Sequence, residues 1–349
     1  MGPRTCRLGN ARYGANTGYF RRVRLKVIGG FMNIYLVTGG AGFIGSHVVH
    51  ELLARGERVR VIDNLSSGFR ENLGDARAGL EFVKADIREL DRIRPFFDGV
   101  GYVIHLAALS SVALSIEDPV TSTAVNIGGT VNVLMAARDA RAKRVVFADS
   151  AAVYGDNLEL PRVESQQPEP LSPYALTKLA GEYYCRIFNN VFGLEAVALR
   201  FFNIFGPRQN PHSPYTGVLS KFIVAYLRGE TPVIFGDGEQ SRDFTYVANV
   251  VDAVLAACTA PQAPGRAINV GVGASFTLNE TVALLNRIFG REVVPRYAAE
   301  RPGDVRHSRA DVTLAKQVLG YHPRVTFEEG LRQTVAWYRS AVAAQVAAP

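Results

Sequence analysis

Residues 33–49 read Asn33-Ile34-Tyr35-Leu36-Val37-Thr38-Gly39-Gly40-Ala41-Gly42-Phe43-Ile44-Gly45-Ser46-His47-Val48-Val49. An apolar strand over Asn33–Val37 runs into a glycine triplet, Gly39, Gly42 and Gly45. The triplet in turn opens a helix whose Ile44, Val48, Val49, Leu52 and Leu53 recur at helical spacing. Glycine at these positions lets the turn tighten, lets backbone approach a pyrophosphate and lets helix pack closely on strand. The amides at the helix start then face the anion. Asp63 closes the next apolar run, Arg58–Ile62, where a carboxylate accepts hydrogen bonds from an adenosine ribose and repels a ribose phosphate. The run therefore predicts a dinucleotide site that prefers NAD to NADP. An ordinary strand-turn-helix with an acidic loop residue is the alternative; the strand before, the helix after and the acid beyond all argue against it.

Working outward, short apolar strands alternate with amphipathic helices as far as about Arg200. The predicted strands are Asn33–Val37, Arg58–Ile62, Leu80–Lys84, Tyr102–Leu106, Arg144–Ala148 and Leu194–Leu199. Such alternation means an α/β fold: a doubly wound parallel sheet of the Rossmann type, with ligands at the carboxyl ends of its strands. After Arg200 the texture turns to Gly-, Pro- and Asn-rich loops mixed with short helices. The expected division is an N-terminal extension at 1–31, an NAD-binding domain at 32–202 and a smaller α/β substrate-binding region at 203–349, of which about 245–262 packs back on the first domain. Two long helices with broad apolar faces, Pro119–Arg141 and Pro173–Val191, either bury each other across a two-fold axis or simply cover the sheet.

Composition bounds the class. At 349 residues, 48% hydrophobic and 20% charged, the chain is that of a soluble globular protein. No stretch approaches the ~20 uninterrupted apolar residues of a membrane span. Three separated cysteines, Cys6, Cys185 and Cys258, suggest neither disulfides nor a zinc cluster and fit a cytoplasmic setting, and the scattered histidines predict no metal site. The net charge of +7 invites a nucleic-acid reading, yet seven of the 39 Lys and Arg lie before residue 32 with no acid among them. The remaining 32 meet 32 Asp and Glu, so the body is neutral and the excess belongs to the tail. An upstream start ahead of Met32 explains that tail better than a targeting role.

Chemistry enters with Ser150 and with Tyr174-Ala175-Leu176-Thr177-Lys178. Tyr174 and Lys178 stand one helical turn apart on one face. A free tyrosine has a pKa of about 10, so only ~0.1% is phenolate at neutral pH. A neighbouring ammonium favours the phenolate, and a shift toward 7 corresponds to roughly 4 kcal/mol. Tyr174 is then expected to act as general base, with Ser150, 24 residues earlier at a strand end, holding the reacting hydroxyl.

With these residues in view, the chain from Met32 to about Tyr338 resembles the extended short-chain dehydrogenase/reductase family, and within it the nucleotide-sugar 4-epimerases. The marks are Thr38–Gly45, Asp63-Asn64-Leu65, Ala85-Asp86-Ile87, His105-Leu106-Ala107-Ala108, Ser150-Ala151-Ala152-Val153-Tyr154-Gly155, Ser172-Pro173-Tyr174 with Lys178, Arg200-Phe201-Phe202-Asn203, Ser241-Arg242-Asp243-Phe244 and Arg301-Pro302-Gly303-Asp304. The resemblance implies a hydride-out, hydride-back cycle at the sugar C4 on a bound NAD, through a 4-keto sugar. It implies NAD contacts from Gly39, Gly42, Phe43, Ile44, Gly45, Asp63, Asn64, Ser67, Gly68, Asp86, Ile87, Leu106, Ala107 and Ala108. Tyr174 and Lys178 are implied as further NAD contacts, and Asn126 would lie near the nicotinamide end.

For the substrate it implies a UDP group anchored by Asn203, Arg242, Arg301 and Asp304, and a sugar near Ser111, Ser150, Gln209, Gly217, Val218 and Ser308. Arginines suit the pyrophosphate and a carboxylate the ribose. Ser308 stands where members restricted to plain hexoses resemble one another in carrying tyrosine, so serine implies room for an N-acetyl group. The expected reaction is interconversion of UDP-N-acetylglucosamine and UDP-N-acetylgalactosamine, with weaker action on UDP-glucose, by a homodimer. Two departures weaken a strict glucose/galactose assignment: Ser110 where some epimerases carry lysine, and Phe201 where many carry tyrosine. UDP-glucose 4-epimerisation proper and a non-catalytic NAD sensor remain alternatives. Sugar dehydration and decarboxylation are disfavoured, because Ala151 and Ala152 supply neither acid nor base beside Ser150. RNA binding is disfavoured by the neutral body.

Overall fold

The structure, a computed structural model, describes residues 34–74, 78–210, 217–300 and 305–347. The tail at 1–31, Met32, and the expected anchors Arg301 and Asp304 lie outside the described residues. Seven parallel strands form the central sheet: β1 (Ile34–Thr38), β2 (Arg58–Asp63), β3 (Leu80–Lys84), β4 (Val100–His105), β5 (Arg144–Ser150), β6 (Glu195–Phe201) and β7 (Ala267–Val270). Their order is β7-β6-β5-β4-β1-β2-β3, so the chain winds outward from β1 in both directions. The doubly wound reading of the sequence is realised, with two corrections. β5 and β6 each run two residues past their predicted ends, because Asp149 and Ser150 pair in register with Arg200 and Phe201. β7 was not foreseen; it joins the sheet beside β6 from far downstream, pairing Ala267–Val270 with Ala198–Phe201.

Helices cover both faces. On one lie α1 (Phe43–Ala54) and a later helix, Val247–Thr259, with Val48, Val49, Leu52, Val250 and Val254 packed against Val37, Val61, Val146 and Val197. On the other lie α2 (Pro119–Asp139) and α3 (Pro173–Val191), whose Val133, Leu134, Cys185 and Phe188 meet Leu36, Ile62, Val103 and Phe147. Burying each such side chain contributes about 1.5–3 kcal/mol. α3 begins at Pro173 because Ser172 caps it, its hydroxyl accepting from the Ala175 amide, and Gly181 lets it sit down on the ring of Phe147.

α2 departs from the uninterrupted helix predicted to Arg141. It stops at Asp139 and contains a π turn over Ala124–Gly128. By length and composition it is long and apolar enough to cross a membrane; here it lies on the sheet with Asn126 and Thr130 buried. A third apolar cluster gathers Phe205, Phe222, Tyr226, Phe244, Leu285 and Phe327, beside the carboxyl-end cleft.

Candidate active site

A cleft of about 760 Å³ runs along the carboxyl ends of the strands. One half of it is shaped by the glycine turn. Gly39 holds φ at +69°, where a Cβ would come within 2.7 Å of the Ala107 amide; a Cβ on Gly45 would overlap the Gly39 carbonyl oxygen. α1 starts with no side-chain cap and no acid in its first turn, so its positive end faces the cleft. Asp63 has a role beyond the one the sequence suggested: its two carboxylate oxygens accept the Ala41 amide (3.0 Å) and the Leu65 amide (2.8 Å), tying the glycine turn to β2. Burial nevertheless raises its pKa, outweighing those amides. Asp86 accepts the Arg88 guanidinium and the Asn64 amide, and these hold it down to about 2.

These features fit a dinucleotide. The cradle beside Gly39 and Gly45 is one that side chains would fill, the helix end is electropositive, and a carboxylate stands at the end of β2. Of the residues expected around NAD, Gly39, Gly42, Phe43, Ile44, Gly45, Asp63, Asn64, Ser67, Asp86, Ile87, Leu106, Ala107, Ala108, Tyr174 and Lys178 line the cleft. Gly68 instead packs on the Ala41 backbone behind the turn.

At the floor, Ser150, Tyr174 and Lys178 come together. The Lys178 ammonium donates to the Ala148 carbonyl (2.7 Å) and lies 5.9 Å from the Tyr174 ring centre. The electrostatics differ from the sequence expectation. Tyr174 is pushed up to about 12 by burial, and the nearby Ser150 hydroxyl pulls back only part of that. Lys178 is itself lowered to about 8, again by burial first. In the protein alone desolvation beats the ammonium, because Lys178 points to a carbonyl and not to the phenol oxygen.

Asn126 does not line the cleft. Its carbonyl oxygen accepts the Leu109 amide (2.8 Å) and its NH2 donates to Leu109 O (3.0 Å) and Thr177 Oγ1 (3.1 Å), clamping the loop after β4 to α3. The π turn swings that side chain into place. Behind it, Thr130 donates to Asn126 O (2.6 Å) and so accepts from His105 Nε2 (2.9 Å), leaving His105 Nδ1 to accept from Thr38 (2.7 Å). The buried imidazole is thereby neutral, at about 3, burial being the main cause.

The opposite wall carries Asn203, Gln209, Arg242 and Ser308, all lining the cleft. Gln209 Oε1 accepts from Ser220 (3.0 Å), which aims its NH2 away from that contact. Ser111 serves as the cap of a short helix, accepting from Leu114, and Gly217 and Val218 begin the helix Val218–Arg228; none of the three lines the cleft. Roles that sequence reasoning missed are those of Arg208, His47 and Asp243. Arg208 donates to Ser46 (2.9 Å) and His47 meets Pro207 O (2.9 Å), joining the loop around Pro207 and Arg208 to α1. Asp243, fully buried, accepts the amides of Val272, Gly273 and Ala310, pinning the strand that carries Arg242 to the segment that carries Ser308. A buried acid directly after a candidate anion-binding arginine was the available signal. Among the described residues no cluster of three or more His, Cys, Asp or Glu is placed to hold a metal ion.

Comparison with known proteins bears on this geometry. Residues 35–271 match the NAD dependent epimerase/dehydratase family. The UDP-glucose 4-epimerase of Mycolicibacterium smegmatis is 41% identical over 309 residues, covering 87% of this chain and 98% of its own. A UDP-N-acetylglucosamine 4-epimerase from Methanobrevibacter ruminantium, solved with UDP-N-acetylmuramic acid, superposes with a TM-score of 0.85 at 41% identity, covering 89% of this chain and 99% of that one. The Thermus thermophilus UDP-glucose 4-epimerase in complex with NAD gives 0.79 at 38% identity, covering 88% and 99%.

Proposed function

Because the chain belongs to the NAD dependent epimerase/dehydratase family, we propose that it interconverts the C4 epimers of a UDP-hexose, with UDP-N-acetylglucosamine and UDP-N-acetylgalactosamine as its preferred pair. The observation that carries this reading is the meeting of Ser150, Tyr174 and Lys178 on the floor of a cleft whose other end is the glycine cradle. NAD, when bound, supplies the hydride acceptor and donor. The chain's own residues do the rest. Ser150 positions the sugar hydroxyl by hydrogen bonding, Tyr174 holds or takes its proton, and Lys178 sets the charge beneath the ring. Since Tyr174 is a phenol in the protein alone, its action as base is tied to filling of the cleft.

On the facing wall, Arg242 and Asn203 suit a nucleoside diphosphate, and the anchors proposed at Arg301 and Asp304 would extend that grip. Ser308 is the residue that sets the sugar. It is small, half-buried and lines the cleft, and the Gln209 NH2 is the donor available to an acyl oxygen. Ser308→Tyr fills the acetamido space by steric overlap, so kcat/KM for UDP-N-acetylglucosamine falls by about 10–200-fold while that for UDP-glucose changes little. A coupled assay on both substrates reads this; equal losses, or a wild type confined to UDP-glucose, overturn the preference. We further propose a cytoplasmic homodimer, from the apolar side chains that α2 and α3 leave exposed: Val120, Leu176, Ile187 and Val191.

A further inference from the structure

Asp149 stands out in the interior. Its side chain has no solvent exposure, and neither carboxylate oxygen has a hydrogen-bond partner. An ionised carboxylate in that state gives up its hydration for a single long ion-pair contact, with Arg200, so the group calls for an explanation. Its neighbours supply one. Across the sheet it is in register with Arg200 of β6. The guanidinium comes only to 3.7 Å because its donors are committed elsewhere: Nε and Nη2 to Glu182 (2.8 and 3.0 Å), Nη1 to Tyr154 Oη (2.8 Å) and to Glu164 O (3.4 Å). Lys178, Glu182 and Cys185 share the α3 face packed on the sheet; the charge of Asp149 acts on Lys178 and Cys185, and that of Lys178 on the neutral His105 ring of β4. The Arg200 Nε that meets Glu182 Oε2 at 2.8 Å also faces Asp149 Oδ2 at 3.7 Å, so one buried guanidinium brings the two carboxyls side by side. Two carboxyls in contact inside a protein hold a proton between them.

We propose that Asp149 and Glu182 share one proton, carried by Asp149 and donated to Glu182, and that this pair is the positioning device that sets the charge on Lys178. The proton gives Asp149 its missing partner and leaves the Arg200–Glu182 ion pair intact. Burial pushes the Asp149 carboxyl well above the usual range, and the Glu182 charge pushes the same way. A negative Asp149 in turn favours the Lys178 ammonium, against the burial that lowers it to about 8. As pH rises, loss of the shared proton therefore strengthens the hold of Lys178 on its own, and the ammonium persists further into alkaline solution.

The shared proton is tested on the full-length protein by infrared spectroscopy at neutral pH, which reads the C=O stretch of an un-ionised carboxyl. The band is expected in wild type and absent in Asp149→Asn. It is also expected to be lost in Glu182→Gln, where the freed Arg200 fork turns to Asp149 and ionises it. A wild-type spectrum in which neither variant removes an acid band overturns the proposal. The Lys178 half rests on the epimerase reading above and is tested separately. Asp149→Asn keeps an N–H donor to Glu182 but cannot ionise, so the alkaline limb of kcat/KM moves down by about 1–3 pH units. An unmoved limb in a variant with wild-type circular dichroism overturns that half, and the infrared arm stands or falls without any turnover.

Discussion

Tyr174 shows how a residue's reading changes when its surroundings are known. The turn of helix that brings Lys178 beneath it is legible from spacing alone, but the direction of its titration is not, because it depends on how deeply the fold buries the ring and on where Phe147 and Ala148 hold the Lys178 ammonium. Gly39, Gly45 and Asp63 were legible because one short run of chain holds the whole device. The clamp made by Asn126 and the setting of Asp149 were not, since each acts through partners on other elements. For Tyr174 itself, replacement by Phe keeps the ring and removes only the proton acceptor. kcat is expected to fall by about 10²–10⁴-fold with the thermal midpoint near that of wild type. A coupled epimerase assay showing most of the activity retained would assign the base elsewhere.

Six strands could be read from the sequence because each is a short apolar run between turn residues. β7 escaped for a physical reason: it is four residues long, with Asn269 at its centre, and that buried amide is satisfied by Tyr154 and Arg162, neither of them near in sequence. The π turn in α2 escaped similarly, since its cause is the demand that Asn126 face Leu109. α3 offers the clearest element-level prediction. Leu176, Tyr183, Ile187 and Val191 lie on one face at helical spacing and are between 41% and 70% exposed, too much apolar surface for an unpartnered helix. Ile187→Glu is therefore expected to turn a dimer into a monomer in light scattering at micromolar concentration, with circular dichroism unchanged. A wild type that is already monomeric would refute the dimer.

For the molecule as a whole, two imidazoles, one buried and one half-buried, set an acid limit on stability. His105 titrates at about 3 and His47 at about 4, both lowered by burial first, against an ordinary value of 6.5. Between those values the unfolded chain binds more protons than the folded one. The stability these rings contribute is thus complete above about pH 6.5 and is lost as pH falls through 4 and then 3. Asp63, Glu164 and Asp243 are raised and work in the opposite sense at the acid end, so the histidine part is best isolated by difference. His47→Gln keeps a donor for Pro207 O, and the drop in thermal midpoint from pH 7 to pH 5 should shrink by about 2–4 °C for each kcal/mol removed. An unchanged drop would mean that His47 titrates normally.

The late arrival of β7 also dictates an order of manufacture. As the chain leaves the ribosome, β6 emerges with one row of backbone amides and carbonyls unpaired, and it stays so until the residues around Ala267 follow. The nucleotide-binding half is thus never finished first and then decorated. During synthesis it is an open-edged intermediate, the kind of species on which chaperones act, and a product truncated between Phe201 and Ala267 would carry that open edge permanently.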